Sequence, residues 1–284
     1  MKKPLVIKCP AKVNLSLDVV NRRDDGYHNL RMIMHTVKLF DTLTVTAYPS
    51  PTTEITLTSN LKFLPVDERN LCFKSAKLFL EKANLSARVN IKIQKNIPVG
   101  AGLGGGSTDA AGTLLALNTL FGSPFGKPAL SDLSKTIGAD VPFFIYGGCM
   151  LAEGIGEILT PLPTLENAVF LLAKPKYAIS TPYVYKKLEI EKVYNHPDIN
   201  TAISAIELND FDKLGSVAGN VLETVVTKEY SEIEQYKQIM NNHGAIYSLM
   251  SGSGSTVFGV YRAREDAEKA AKELKKFTKL VYLA

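Results

Sequence analysis

The chain has 284 residues, 45% of them hydrophobic, enough apolar material for one large core or two medium ones. Its 33 Lys and Arg against 28 Asp and Glu leave a formal charge of +5, a modest excess that suits a phosphate-bearing ligand. The basic residues are scattered, which argues against a nucleic-acid surface, and the uncharged stretches are rich in Gly and Ser, which argues against a membrane span.

Only Leu5, Val6 and Ile7 stand before Lys8, too few apolar residues for an export signal, so a cytoplasmic protein is expected. Alternation at Val13, Leu15, Leu17 and Val19 predicts a half-buried strand, and Leu43, Val45 and Ala47 predict a second. From Asn70, the spacing of Leu71, Ser75, Leu78 and Lys82 predicts a helix, and Val89, Ile91 and Ile93 a strand running into Lys95. The segment 98–106 then carries five glycines, after which Ala110, Ala111, Leu114, Leu115 and Leu117 resume a helical period. A strand is expected at 168–173 and helices near 181–187, 211–222 and 230–242. A further strand with a Gly-Ser loop, a charged amphipathic helix over 264–276 and a last strand at 279–283 complete a mixed α+β pattern without a repeat. Turn-rich stretches at 153–156 and 160–163 suggest two domains, 1–155 and 156–284. Cys9, Cys72 and Cys149, widely spaced among apolar neighbours, read as reduced thiols, and His35, His196 and His243 show no metal-ligand spacing.

The order strand, glycine loop, helix carries the chemistry. Gly100, Gly102, Gly104, Gly105 and Gly106 let backbone amides approach a ligand closely, and the helix behind them aims its unsatisfied N–H groups at the same point. Ser107 and Thr108 stand where that helix begins, to cap it, bind a phosphate oxygen or ligate the magnesium that accompanies ATP. Gly100, Gly102 and Gly105 formally satisfy the dinucleotide fingerprint, but three consecutive glycines make the match cheap; Gly106 stands where a Walker A loop needs lysine.

The segment Pro98-Val-Gly-Ala-Gly-Leu-Gly-Gly-Gly-Ser-Thr-Asp-Ala110 resembles the ATP loop of the galactokinase, homoserine kinase, mevalonate kinase and phosphomevalonate kinase superfamily. Cys9-Pro-Ala-Lys-Val-Asn-Leu15 is similar to its first motif and Ser251-Gly-Ser-Gly-Ser-Thr-Val-Phe258 to its third, although Ser255 stands where Pro or Ala is expected. Gly26-Tyr-His28 and Gly138-Ala-Asp-Val-Pro-Phe143 narrow the resemblance to the branch whose alcohol substrate carries a cytidine diphosphate group.

The resemblance implies a two-domain α+β fold with the active site in the cleft between domains, ATP as donor, Mg²⁺, and no nucleic-acid or membrane partner. By that resemblance Asp140 is the base that takes the hydroxyl proton, and Lys12 keeps it ionised and offsets charge on the phosphoryl group. Asn70, Lys95, Pro98, Val99, Gly100, Ala101, Gly102, Leu103, Gly104, Gly105, Gly106, Ser107 and Thr108 would hold ATP, with Ser107 the magnesium ligand. Asn14, Tyr27, His28, Thr181 and Tyr185 would hold the acceptor, the aromatic rings reading cytosine. Read without the family, Asn70 is a helix N-cap, Asp140 a turn acid, Lys12 a strand lysine and Tyr27-His28 an exposed loop, and Tyr183 competes with Tyr185. Another alcohol kinase of the superfamily, or a nucleotide sensor that has lost transfer, would share the glycine loops.

Overall fold

The computed structural model describes residues 3–284 and divides into two compact units. One comprises the chain up to Ala11, Phe40–Ile97 and Gly104–Gly147; the other comprises Lys12–Leu39, Pro98–Leu103 and Gly148–Ala284. Two long strands, β1 (Leu5–Arg22) and β2 (His28–Pro49), pair with each other and contribute to both.

In the first unit β3 (Glu54–Ser59) is followed by α1 (Leu71–Lys82), β4 (Ala87–Gln94), α2 (Gly105–Leu120), α3 (Lys127–Ser134) and α4 (Val141–Tyr146). β4 pairs antiparallel with the far half of β2, Leu43 opposite Ile93 and Ala47 opposite Val89, and parallel with the edge strand β3. Its residues alternate strictly, Ala87, Val89, Ile91 and Ile93 buried and Arg88, Asn90, Lys92 and Gln94 exposed, so one face of this sheet is apolar. α1 lies along α2, which also packs on α4 and α3.

In the second unit the near half of β2 pairs with β5 (Cys149–Gly154), His35 opposite Cys149, and β5 with β6 (Ile158–Leu162). The chain continues through β7 (Val169–Lys174), α5 (Thr181–Lys187), α6 (Ile199–Glu207), α7 (Phe211–Val217), α8 (Glu223–Val226), α9 (Ser231–Asn242), β8 (Tyr247–Met250), β9 (Val257–Tyr261), α10 (Arg264–Leu274) and β10 (Leu280–Leu283). These strands form an antiparallel sheet ordered β10-β7-β9-β8, on which α9 and α10 pack.

Three expectations change. β1 is buried on both faces from Ala11 to Leu17, not on one, because Lys12, Asn14 and Ser16 point into structure instead of water. The helix expected over 211–222 stops at Val217, since the following residues run beside β1. Leu17 N–H donates to Gly219 O at 2.8 Å and Val221 N–H to Leu17 O at 3.1 Å, so a tertiary ladder replaces helical bonds. The helix α6 was not foreseen although Ile199, Ala202, Ile203 and Ile206 stand at helical spacing; α3, α4, β3, β5 and β6 are too short to announce themselves. All three cysteines are buried and unbridged, and burial pushes the Cys149 thiol up to about 12.

Candidate active site

Pro98 to Thr108 forms a turning loop that feeds α2. Gly100, Gly102 and Gly104 take φ of 60°, 72° and 70°, a region that strains any residue with a Cβ. At Gly102 the crowding is steric too, because a Cβ there would overlap the Ser251 carbonyl. Three consecutive carbonyls of the loop are spoken for: Thr256 N–H donates to Ala101 O at 3.3 Å, Ser251 Oγ to Gly102 O at 2.9 Å and Lys12 N–H to Leu103 O at 3.0 Å. Its amides are not. Among the described residues no N–H from Val99 to Ser107 donates to a protein acceptor. α2 starts on Gly104 with no side-chain cap and no acid in its first turn, so its positive end is left for an anion. Ser107 is half-buried at that end; Thr108 is buried, its N–H returning to Gly104 O at 2.9 Å.

The start of α2 is tied to a buried ion cluster. The Lys95 ammonium pairs with Asp41 and with Asp109, the latter at 2.7 Å, and donates to Gly105 O at 2.9 Å. Asp41 Oδ1 accepts from the N–H groups of Asn96 at 2.6 Å and Ile97 at 2.8 Å. Burial works against the Lys95 charge, but Asp109 and Asp41 outweigh it and raise its pKa. Burial also raises that of Asp109. An ammonium has three protons, and all three are engaged here. Lys95, expected to touch the nucleotide, has all three ammonium protons engaged and holds the Gly105 carbonyl at the start of α2. Asp41 and Asp109 escaped sequence reading, although Asp109 is the sole charge in α2 and that isolation was a signal.

Asn70 is the N-cap of α1. Its Oδ1 accepts from Cys72 N–H at 2.9 Å and its Nδ2 donates to Pro65 O at 2.7 Å, so both ends of the amide serve the helix entry. Asp140 stands at the N-cap of α4 yet caps nothing. It is half-buried, and among the described residues its carboxylate has no hydrogen bond or ion pair. The expectation of an acid held just before an apolar run is met by burial of Val141 to Ile145, not by a bonded partner.

Lys12 and Asn14 project from the same face of β1. Lys12, 4% exposed, donates from Nζ to Asn14 Oδ1 at 2.6 Å. Asn14 Nδ2 meets only the Met32 thioether, at 3.1 Å, a weak acceptor that leaves the amide donor capacity. Gly252 of the loop between β8 and β9 approaches both side chains, a Cβ there falling 3.4 Å from each.

Tyr27 is thrown outward by the turn joining β1 to β2. Arg23 N–H donates to Tyr27 O at 2.8 Å, Tyr27 N–H to Asp25 Oδ1 at 3.1 Å, and Gly26 takes a φ of 86°. Tyr27 is 62% exposed. His28 and Tyr185 face each other with centroids 5.2 Å apart, and burial lowers the His28 pKa. Tyr183 is engaged elsewhere, its hydroxyl donating to Glu229 at 2.7 Å and its ring beneath Lys187, so of the two tyrosines in α5 it is Tyr185 that joins the histidine. Thr181 Oγ1 lies 2.7 Å from Ser253 Oγ.

Comparison with known proteins agrees over both halves of the chain. Residues 70–148 match the family model for the GHMP kinases N terminal domain and residues 202–280 that for GHMP kinases C terminal. The 4-diphosphocytidyl-2-C-methyl-D-erythritol kinase of Lachnoclostridium phytofermentans is 44% identical over 95% of this chain and 92% of that protein. The enzyme of that name from Clostridium novyi is 45% identical over 96% of each. A crystal structure of a 4-(cytidine 5'-diphospho)-2C-methyl-D-erythritol kinase superposes with a TM-score of 0.82 at 33% identity, covering 98% of both chains. Among the described residues no helix is long and apolar enough to cross a membrane.

Proposed function

The chain belongs to the GHMP kinase family, and on that premise we propose that it transfers the γ-phosphoryl group of ATP to the 2-hydroxyl of 4-diphosphocytidyl-2-C-methyl-D-erythritol. The observation that carries the transfer chemistry is the run of unengaged N–H groups from Val99 to Ser107 ending on the uncapped start of α2. Such a run binds phosphate oxygens without a lysine clamp, because dipoles already fixed in place need no reorganisation as charge shifts. The acceptor is taken from the relatives' printed names, and the His28–Tyr185 pair with Tyr27 beside it supplies flat rings suited to a pyrimidine.

Phosphoryl transfer asks the protein chiefly for positioning and charge. Asp140, unpaired among the described residues, accepts the proton of the acceptor hydroxyl as its oxygen bonds to phosphorus and the bond to ADP breaks. Lys12 offsets the charge on the transferring group, and Asn14 bonds the acceptor. Among the described residues no group of His, Cys, Asp and Glu forms a metal site, and the carboxylate nearest the loop in sequence, Asp109, is committed to Lys95. The donor set that remains, phosphate oxygens with the Ser107 hydroxyl, is hard oxygen and fits Mg²⁺. The magnesium would arrive with ATP and neutralise its phosphates.

The test is ADP release over a panel of alcohols with and without a cytidine group, at fixed ATP. The reading requires turnover that depends on the cytidine-linked acceptor; equal turnover with mevalonate or homoserine, or none with any alcohol, would remove it.

A further inference from the structure

The segment from Lys174 to Tyr185 leaves β7, enters α5, and touches three other parts of the second unit. Ala178 packs against the nucleotide loop, a Cβ on Gly100 falling 3.2 Å from its own. Ile179 packs on Gly254 in the same way at 3.3 Å, and Thr181 meets Ser253 at 2.7 Å. At its far end Tyr185 faces His28. The start of the segment is pinned at one atom. Tyr177 O accepts from Lys174 Nζ at 2.6 Å and from Ser255 Oγ at 2.7 Å, and Lys174 Nζ also donates to Pro175 O at 3.1 Å. Ser255 is 0% exposed and Lys174 5%, so neither donor has water as an alternative. Ser255 also stands where the motif resemblance leads to an expectation of Pro or Ala, neither of which has a hydroxyl to make this bond.

We propose that Ser255 and Lys174 are positioning residues which, through the doubly bonded Tyr177 carbonyl, couple nucleotide in the glycine loop to the seating of Tyr185 against the acceptor's base. This rests on the function proposed above. A carbonyl with two donors is fixed in direction as well as place, so the segment yields little at Ala178 without moving Tyr185. Nucleotide that fixes Gly100 fixes Ala178 with it, and part of the ordering required by the acceptor is then complete before the acceptor arrives.

The experiment is calorimetric titration of the cytidine-linked acceptor with and without a non-hydrolysable ATP analogue, on wild type, Ser255→Ala, Lys174→Met and the double variant. Nucleotide should tighten acceptor binding about fivefold or more in wild type, the low end of ordinary couplings. Each single variant leaves the carbonyl one donor and should lower that coupling about twofold, whereas the double variant, with a buried carbonyl bonded to neither, should lose it altogether. No coupling in wild type, or equal coupling in all four proteins beside a mere fall in Tm, overturns the proposal. If the double variant does not fold, the singles decide on the same criterion. If wild type turns over no cytidine-linked acceptor, the function fails separately. The positioning role is then read from the analogue alone, whose affinity should drop several-fold in the double variant, or in the singles to a smaller degree; unchanged affinity overturns it.

Discussion

Asp140 and Tyr27 show how differently single residues are read. Asp140 is half-buried ahead of an apolar helix with no partner to satisfy among the described residues, an arrangement that costs free energy unless a ligand proton completes it. Asp140→Asn keeps shape and removes basicity. We expect kcat to fall by about two orders of magnitude or more with the ATP Kd nearly unchanged; near wild-type turnover in steady-state kinetics would take Asp140 out of the mechanism. Tyr27 is 62% exposed, so its removal costs the fold little, and any loss reports on ligand. Stacking on a base is worth roughly 1–3 kcal/mol, so Tyr27→Ala should raise KM for the cytidine-linked acceptor about five- to 150-fold, leaving KM for ATP alone. A uniform rise in both, or in neither, makes Tyr27 a surface residue. Both were visible in sequence through their motifs. The rivalry of Tyr183 with Tyr185 was not resolvable there, since it turns on Glu229 and Lys187, which α5 alone does not place.

At the scale of elements, the start of α2 is held by a buried ion cluster. Lys95 directly follows β4, Asp41 lies in β2 and Asp109 in the second turn of α2, so one ammonium ties two strands to that helix. Lys95→Met leaves two carboxyl groups facing each other without a cation. Truncating one member of a buried cluster typically costs about 3–5 kcal/mol, and urea unfolding should show a loss of that order. ATP affinity should fall as well, since Gly105 O loses its donor at 2.9 Å and the helix start is no longer held. If stability drops and ATP binding does not, the brace supports the fold and not the loop. The motif around the glycines was legible because it is contiguous: consecutive residues alone determine the loop, the helix start and the free amides. The brace was not, because Asp41 stands 54 residues from Lys95 and only strand pairing brings it near.

The whole molecule carries a net charge of +5, but its acid stability is governed by particular buried groups, of which His35 is the clearest. Its Nδ1 faces Thr36 O at 2.6 Å and its Nε2 faces Leu165 N–H at 3.1 Å, so Nδ1 must donate and Nε2 accept, which is the neutral ring. Burial pushes its pKa from 6.5 down to about 4. A pKa lowered on folding means the unfolded chain binds the proton first, so stability is full above about pH 6.5 and is lost as pH falls toward 4. By pH 5 the loss should be about 2 kcal/mol. The stability difference between wild type and His35→Gln should shrink by that amount between pH 7 and pH 5; parallel pH curves would exclude His35 as the source. The sequence by itself determined the mixed α+β class and the strand, glycine loop and helix, because each depends on neighbours within one turn or one strand; Lys12, Asn14, Tyr27, His28 and Asp140 were singled out by the resemblance of their motifs, and Asn70 was left between a nucleotide contact and a helix cap. Only the tertiary structure decided that the predicted 211–222 helix breaks beside β1, that Lys95 bonds Asp41, Asp109 and the Gly105 carbonyl, and that Ser255 and Lys174 share the Tyr177 carbonyl. Those outcomes depend on which donor reaches which buried acceptor across 54 or 78 residues of chain, a choice made by packing, where an unbonded polar group is costly and local propensity has no say.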